Sequence, residues 1–317
     1  MNLGLSAVYG LMQKFSRMAV VATIVSFALL SLLGIHISIS IQISIALLAL
    51  LLGVPHGAVD HLISISTSSK VRFAIFILLY ILLALMAGYA IARWNLLGFQ
   101  LVLLMSSLHF GFGDAAFEGE WRATLGLSRH GFLLECIYAL PAGALPVILP
   151  LTDSRSVSAL NRIHRSLNGW AGSLQSGLRV GTILLALLAI VVLFIAKNRG
   201  AALDLALLLL LSLIAPPLIT FAIYFGCWHA ARHTARLVPK LPKALTSATD
   251  GESARAIWAA VWPGLYAVVG TIVVGVVLMV ALPDRFGSGM LWATLVVVWA
   301  LTVPHMVATA RFDVKAL

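Results

Sequence analysis

The stretch Ala215–His233, APPLITFAIYFGCWHAARH, decides how the rest of the chain is read. It opens on a proline pair, runs through apolar and aromatic residues, and ends in two histidines. The apolar run around it extends from 202 to 236. At ~1.5 Å per residue that run is about 52 Å long, too much for one straight crossing of a ~30 Å hydrocarbon core. Pro216–Pro217 breaks it near the middle, leaving a short run over 203–215 and a full span over 217–236. His229 and His233 are four residues apart, so on a helix they share one face, with Cβ atoms about 6 Å apart and within reach of one metal ion. Taken alone, the segment fits a metal site. It fits equally a helix leaving the bilayer, with His229, Arg232, His233 and Arg236 as interfacial anchors.

Composition sets the solvent. Hydrophobic residues make up 61% of the 317 residues and charged residues only 10%, with a mean hydropathy of +1.05. Water-soluble domains carry roughly 25% charged residues. Apolar runs of crossing length fall near 18–34, 37–55, 73–92, 97–112, 131–150, 177–196, 263–282 and 289–310, besides the two halves already named. The expected fold is therefore an all-α, polytopic integral membrane helix bundle of about 8–10 membrane segments, with a proline-broken helix near 216–217. One transmembrane domain is expected over residues 1–317. The alternating stretch HISISIQISI (36–45) has the period of a strand, but an open strand edge in lipid leaves its amides unpaired, so a helix is expected there. The apolar run after Lys14 and Arg17 is long and lacks a small-residue cleavage site, so it reads as the first span and not as a signal peptide.

A net charge of +10 raises the question of nucleic acid, but the basic residues sit singly or in pairs between apolar runs and form no binding motif, which argues for no nucleic-acid partner. Cys136 and Cys227 lie inside apolar runs and make neither a disulfide framework nor a thiolate metal site. Positive-inside counting puts Lys14, Arg17, Lys70, Arg72, Arg122, Arg129, Lys197, Arg199, Arg236, Lys240, Lys243, Arg311 and Lys315 on one side. This predicts a multi-pass protein of the cell inner (plasma) membrane with a cytoplasmic N-terminus. The loop 152–176, with Arg155, Arg162 and Arg165, falls on the opposite side. Val157, Leu160, Ile163 and Leu167 recur there at helical spacing, as in an amphipathic surface helix. Residues 239–256 read as a polar linker.

In this topology His56, His109, His229, His233 and His305 all lie toward the cytoplasmic ends of their spans. The charge count and the histidine positions agree without sharing any residue type. Neutral imidazoles from several helices suit iron, zinc or copper, and each needs its second ring nitrogen held by a carboxylate, carbonyl or water. Asp60, four residues after His56, and Asp114, five after His109, are the carboxylates placed for that. His305 follows Pro304 and is read as a hydrogen-bonding neighbour of the site in preference to a ligand. His61 points roughly 140° away from His56 on a helix; whether it contributes stays open. His36, His130 and His164 are read as interfacial. Gly57, Gly111 and Gly113 mark backbone that ends a helix or approaches another group closely. Phe221, Tyr224, Phe225 and Trp228 form one stripe at helical spacing, with Ala222 and Gly226 beside it. The stripe is either a helix-packing face or a wall for a long apolar molecule, which Phe110 and Phe112 would also line.

The motifs GVPHGAVDH (53–61), LHFGFGD (108–114), APPLITFAIYFGCWHAARH (215–233) and LTVPHM (301–306), in this order, resemble the bacterio-opsin-related (Brp/Blh-like) β-carotene 15,15′-dioxygenase family. The resemblance runs from about Leu51 to Arg311. It implies an integral membrane enzyme using Fe(2+) and O2 to cleave β-carotene, or a related carotenoid from the bilayer, into two retinals, with hand-over of retinal to a rhodopsin. It also implies His56, His109, His229 and His233 as the iron ligands and catalytic centre. Ala230 stands where many relatives have Ser. The competing reading is a membrane zinc hydrolase acting on a lipid amide or ester through a His/Asp site. A haem electron carrier, a transporter with a histidine proton relay and a di-iron hydroxylase are further alternatives, the last short of the histidine clusters it needs.

Overall fold

Inside lipid every backbone N–H and C=O must be bonded within the protein, and helices meet that demand segment by segment. The computed structural model of the chain describes residues 3–60, 62, 69–286 and 290–316, and no strand occurs among them. Eight helices among the described residues are long and apolar enough to cross a membrane. The elements run α1 (Leu3–Leu32), α2 (Ile39–Gly57), α3 (Lys70–Arg93), α4 (Asn95–Thr124), α5 (Phe132–Leu151), α6 (Ser156–Ile163), α7 (Gln175–Ile195) and α8 (Arg199–Ile214). There follow α9 (Pro217–Ala222), a π-helical stretch (Ile223–His229), α10 (Ala230–Leu237), α11 (Pro242–Thr249), α12 (Ser253–Val261), α13 (Leu265–Ala281) and α14 (Met290–Ala316). The chain is the expected all-α, multi-pass membrane bundle. His61 lies outside the described residues, as do the side chains of Arg311 and Lys315.

Local chemistry sets the boundaries. Ser38 caps α2, its hydroxyl accepting from the Ile41 N–H at 3.4 Å, and the alternating 39–45 stretch is helical. Ala215 and Pro216 are extended, with ψ of 152° and 151°, because a residue before proline avoids the helical region. Pro217 then opens α9, where its missing N–H costs nothing. The break falls where the proline pair placed it.

Three expectations need correction. The first helix begins at Leu3, not near residue 18, and buries Val8, Tyr9, Met12, Gln13 and Ser16. Tyr9 donates to Glu120 at 2.9 Å and stacks on Phe117 at 5.2 Å, contacts to which a hydropathy window is blind. Residues 239–256 are no linker: α11 and α12 form a hairpin turning at Gly251 (φ +83°). Its Ala244, Ala248, Ala256 and Ala260 pack against Val8, Phe117 and Leu237. Alanines four apart give each short helix one small apolar face, which average polarity conceals. In the 152–176 loop, α6 buries Leu160 and Ile163, and Leu167 is buried in the next turn, but Val157 is exposed. Arg155 and Arg179 contact Asp153 at 2.9 and 3.3 Å. Partial burial opposes the Asp153 charge, but hydrogen bonds from the two arginines outweigh it and hold the carboxyl down at about 2, so Arg155, one of the three arginines of that loop, is locally paired.

Helices α4 and α5 meet at backbone distance. A Cβ on Gly111 would overlap the Ala139 carbonyl, and one on Gly143 would overlap that of Ser107. Beside this seam, Asp204 of α8 receives Arg17 of α1 at 2.7 Å and Arg232 of α10 at 2.9 Å. Arg232 also donates to Ser16 at 3.0 Å and lies 3.6 Å over the Trp228 ring. Arg232 and Asp204 are each 1% exposed. Removing one member of a buried pair strands the other charge. Asp204→Ala is therefore expected to destabilise the protein by about 3–5 kcal/mol, read as a lowered thermal unfolding midpoint in detergent; an unchanged midpoint would contradict this role.

Candidate functional site

Five histidines from four separated segments converge. His56 lies in the last turn of α2, His109 within α4, His229 at the end of the π-helical stretch, His233 in α10 and His305 after Pro304 in α14. The His56 ring centre is 5.4 Å from that of His229, 5.1 Å from His233 and 5.5 Å from His305. His109 lies 5.2 Å from His229, 6.5 Å from His233 and 5.0 Å from His305. His233 is 5.9 Å from His229 and 5.6 Å from His305. All five are buried. His305, expected only beside the cluster, stands within it. The other three described histidines do not join these rings: His36 is exposed, His164 contacts Ser166 and Trp292, and His130 lines a small cleft with Glu135 and Tyr138.

The carboxylates support different rings from those expected. Asp60 holds His305, with its two oxygens 2.9 and 2.8 Å from Nδ1, and accepts from the Tyr80 hydroxyl at 3.1 Å. It does not serve His56, because α2 ends at Gly57 and the turn that follows carries Asp60 off the face it would share on a continued helix. His56 Nδ1 meets the Gly53 carbonyl instead. Asp114 accepts from the Tyr224 hydroxyl at 3.1 Å and from Trp228 Nε1 at 2.8 Å, and its other oxygen is 3.8 Å from His229 Nδ1. It thus faces His229 and not His109. In the π-helical stretch the Ala230 N–H bonds to the Phe225 carbonyl, an i→i+5 closure that is rare and recurs at functional sites.

That closure also splits the aromatic stripe. Phe225 lines a cavity of about 220 Å³ with His56, His109, His305, Asp60, Tyr80 and Phe110. Phe221 packs flat on Phe225, ring centres 5.6 Å apart, and lines a separate crevice of about 90 Å³ that Phe110 shares. Tyr224 and Trp228 are fully buried and turned to Asp114, away from the cavity. Phe112 is partly buried against the core and is not among the cavity-lining residues. Sequence reasoning missed Tyr80, whose signal was a single hydroxyl at the centre of an otherwise apolar stretch over 73–88. It also missed Thr302 and Phe76, which carry no such mark. Gly57 and Gly113 face rings of the cluster: a Cβ would come within 3.3 Å of His305 Nδ1 in the first case and 3.2 Å of His229 Cε1 in the second.

The donor set suits a metal of the imidazole-binding class. Among the described residues neither His229 ring nitrogen has a hydrogen-bond partner, a costly state for a buried polar group that a ligated ion relieves. With metal–nitrogen bonds near 2.1 Å, ring centres of neighbouring ligands stand about 4.5–5.2 Å apart. The observed separations begin at 5.0 Å and reach 6.5 Å, so the rings are grouped but wider than a closed shell. Accordingly, no three His, Cys, Asp or Glu donors among the described residues form a ready-made metal site; closure asks for ring movements on the order of 1 Å.

The profile of the family described as Beta-carotene 15,15'-dioxygenase matches residues 47–313. The chain belongs to that family. All five converging histidines fall within the matched region. A protein named Beta-carotene 15,15'-dioxygenase from uncultured marine bacterium 66A03 is 31% identical over 188 residues, which is 56% of this chain and 62% of that relative. The alignment therefore spans less than two thirds of the relative's length. No solved structure gives a significant match.

The Asp114 contacts generate a stability expectation. Trp228→Phe removes the 2.8 Å donor while keeping an aromatic ring, leaving a buried carboxylate one bond short. A loss of about 1–3 kcal/mol is expected, measured by thermal unfolding in detergent against wild type; no loss would place the indole–carboxylate bond outside the determinants of stability.

Proposed function

We propose that the chain is a non-haem iron dioxygenase that cleaves β-carotene, or a related carotenoid, at its central 15,15′ double bond to two molecules of all-trans-retinal. The carrying observation is the convergence of five buried imidazoles, three of them (His56, His109 and His305) lining an apolar cavity, in a member of this family. His56, His109, His229 and His233 are the proposed iron ligands, with His305 a fifth candidate donor oriented by Asp60. These neutral imidazoles would hold Fe(2+) without cancelling its positive charge, and the ion would supply the activation of O2. The double bond breaks and each of its carbons gains one oxygen atom of O2. Those carbons supply all the electrons that O2 takes, so no external reductant is needed.

The protein's own residues bind, orient and exclude water. Phe110 and Phe225 line the cavity next to His109 and His56 and would flank the polyene, a means of holding one bond at the reacting position. Asp60 fixes the His305 ring through Nδ1, and the Gly53 carbonyl fixes that of His56, which leaves the opposite nitrogen of each ring for the metal. Asp114, set by Tyr224 and Trp228, lies beside His229 and limits its rotation. A substrate dissolved in lipid reaches such a site from the bilayer, and retinal returns there for hand-over to a rhodopsin. We place the chain in the cell inner membrane as one transmembrane domain with its N-terminus in the cytoplasm, on the strength of the dispersed basic loops.

Expression in β-carotene-producing cells tests this reading. Bleaching with retinal accumulation is expected, and its loss in His229→Ala. Purified protein should carry iron and consume O2. Zinc without O2 uptake would favour the hydrolase. Asp60→Asn should lower metal affinity roughly 10–100-fold, the effect of losing a ligand's hydrogen-bond partner.

A further inference from the structure

A second, larger cavity of about 660 Å³ lies between α3, α13 and α14. It shares Tyr80, Ala267 and Leu301 with the histidine cavity. Its volume falls within the ~300–1,000 Å³ of pockets that enclose organic ligands. Along α13 the wall is Ala267, Gly270, Thr271, Val274 and Leu278, one face at helical spacing. Small residues on facing membrane helices ordinarily let the backbones close up, and α3 and α14 do so where a Cβ on Gly88 would come within 3.3 Å of Ala300 Cβ. Gly270 is different: a Cβ there meets nothing within 4 Å. On the lipid side Leu85 is 67% exposed, so the chamber opens toward the bilayer. Arg93 is the charged residue of the lining, at the end of α3.

We propose that this chamber is the berth for one arm of the carotenoid, and that Tyr80, Ala267 and Leu301 form the neck through which the polyene passes to the histidines. The inference rests on the functional reading above and adds the path by which the substrate is held. The occupant is argued from shape and continuity. From Tyr80 to Arg93, α3 rises about 20 Å, so the chamber is an elongated, almost wholly apolar slot ending at the histidine cavity. A rigid rod with no polar group along its length fits such a slot. Tyr80 is fixed at the neck by its bond to Asp60, so the contact with the polyene and the support of His305 run through one side chain. A chamber on one side of the histidines sets how far the chain can advance, and so which double bond stops beside them. An acyl chain of a lipid is the competing occupant.

Two readouts test the proposal: β-carotene retained per mole of metal-free protein in lipid nanodiscs, by visible absorption, and retinal formed in β-carotene-producing cells. Gly270→Phe fills the chamber from a position with open space. Val269→Phe adds the same bulk to the same helix at a residue that is 62% exposed and outside the lining. Gly270→Phe is expected to lower both readouts about tenfold or more, the scale on which overpacking acts, with Val269→Phe close to wild type. Should Gly270→Phe not yield monodisperse protein, Leu85→Trp narrows the same chamber from α3 and carries the same expectation. Retention and cleavage in both filled variants equal to wild type would overturn the chamber assignment and leave a lipid as its occupant. A wild-type protein that retains carotenoid, loses it in Gly270→Phe and forms no retinal keeps the chamber and removes the reaction. A wild-type protein that does neither removes both.

Discussion

A guanidinium enclosed by protein, in a bundle itself enclosed by lipid, is the constraint on which the site depends. Arg232 sits between His229 and His233 in sequence and cannot leave the carboxylate of Asp204 without stranding a charge. Arg17 binds the same carboxylate from α1, and the Trp228 ring covers Arg232. The turn bearing the paired histidines is thereby fixed to α1 and α8. Arg236 adds a parallel tie, 3.0 Å from Glu120 on α4, the helix that carries His109. The ion pairs supply position more than net stability, since desolvation offsets much of their attraction. Precise position is what several rings converging on one point demand.

Backbone irregularity does comparable work. Proline ends α8 and starts α9 afresh, and the π-helical stretch then turns His229 toward the cluster while Tyr224 and Trp228 reach Asp114. Two hydrogen bonds and a buried carboxylate stabilise a winding that is otherwise unfavourable. The aromatic residues there divide into two tasks. Tyr224 and Trp228 hold the helix, and Phe225 faces the cavity.

Much of this was legible in the sequence. Apolar runs gave the spans, the proline pair gave the break, and charge counting put five histidines at one depth without reference to histidine. What was not legible traces to local departures from ideal helices. Asp60 was assigned to His56 by continuing α2 past Gly57, where it stops. Asp114 was paired with His109 by spacing along α4, whereas its partners come from a segment more than a hundred residues away. The aromatic stripe assumed α-helical spacing through residues that wind as a π-helix. The α11–α12 hairpin and the first turns of α1 were passed over because alanine and isolated aromatics contribute little to average hydropathy, yet they pack at close range.

The glycine seam between α4 and α5 has a mechanical consequence. Two helices in backbone contact have no side-chain layer to rearrange, so they behave as a single stiff plank, and His109 is mounted on it. The opposite wall is looser: α3 and α13 face each other across the chamber of about 660 Å³, lined by leucine, valine and tyrosine side chains. Compliance is therefore uneven: His109 rides on the stiff pair, whereas the lipid-facing lining, with Leu85 67% exposed, borders open space.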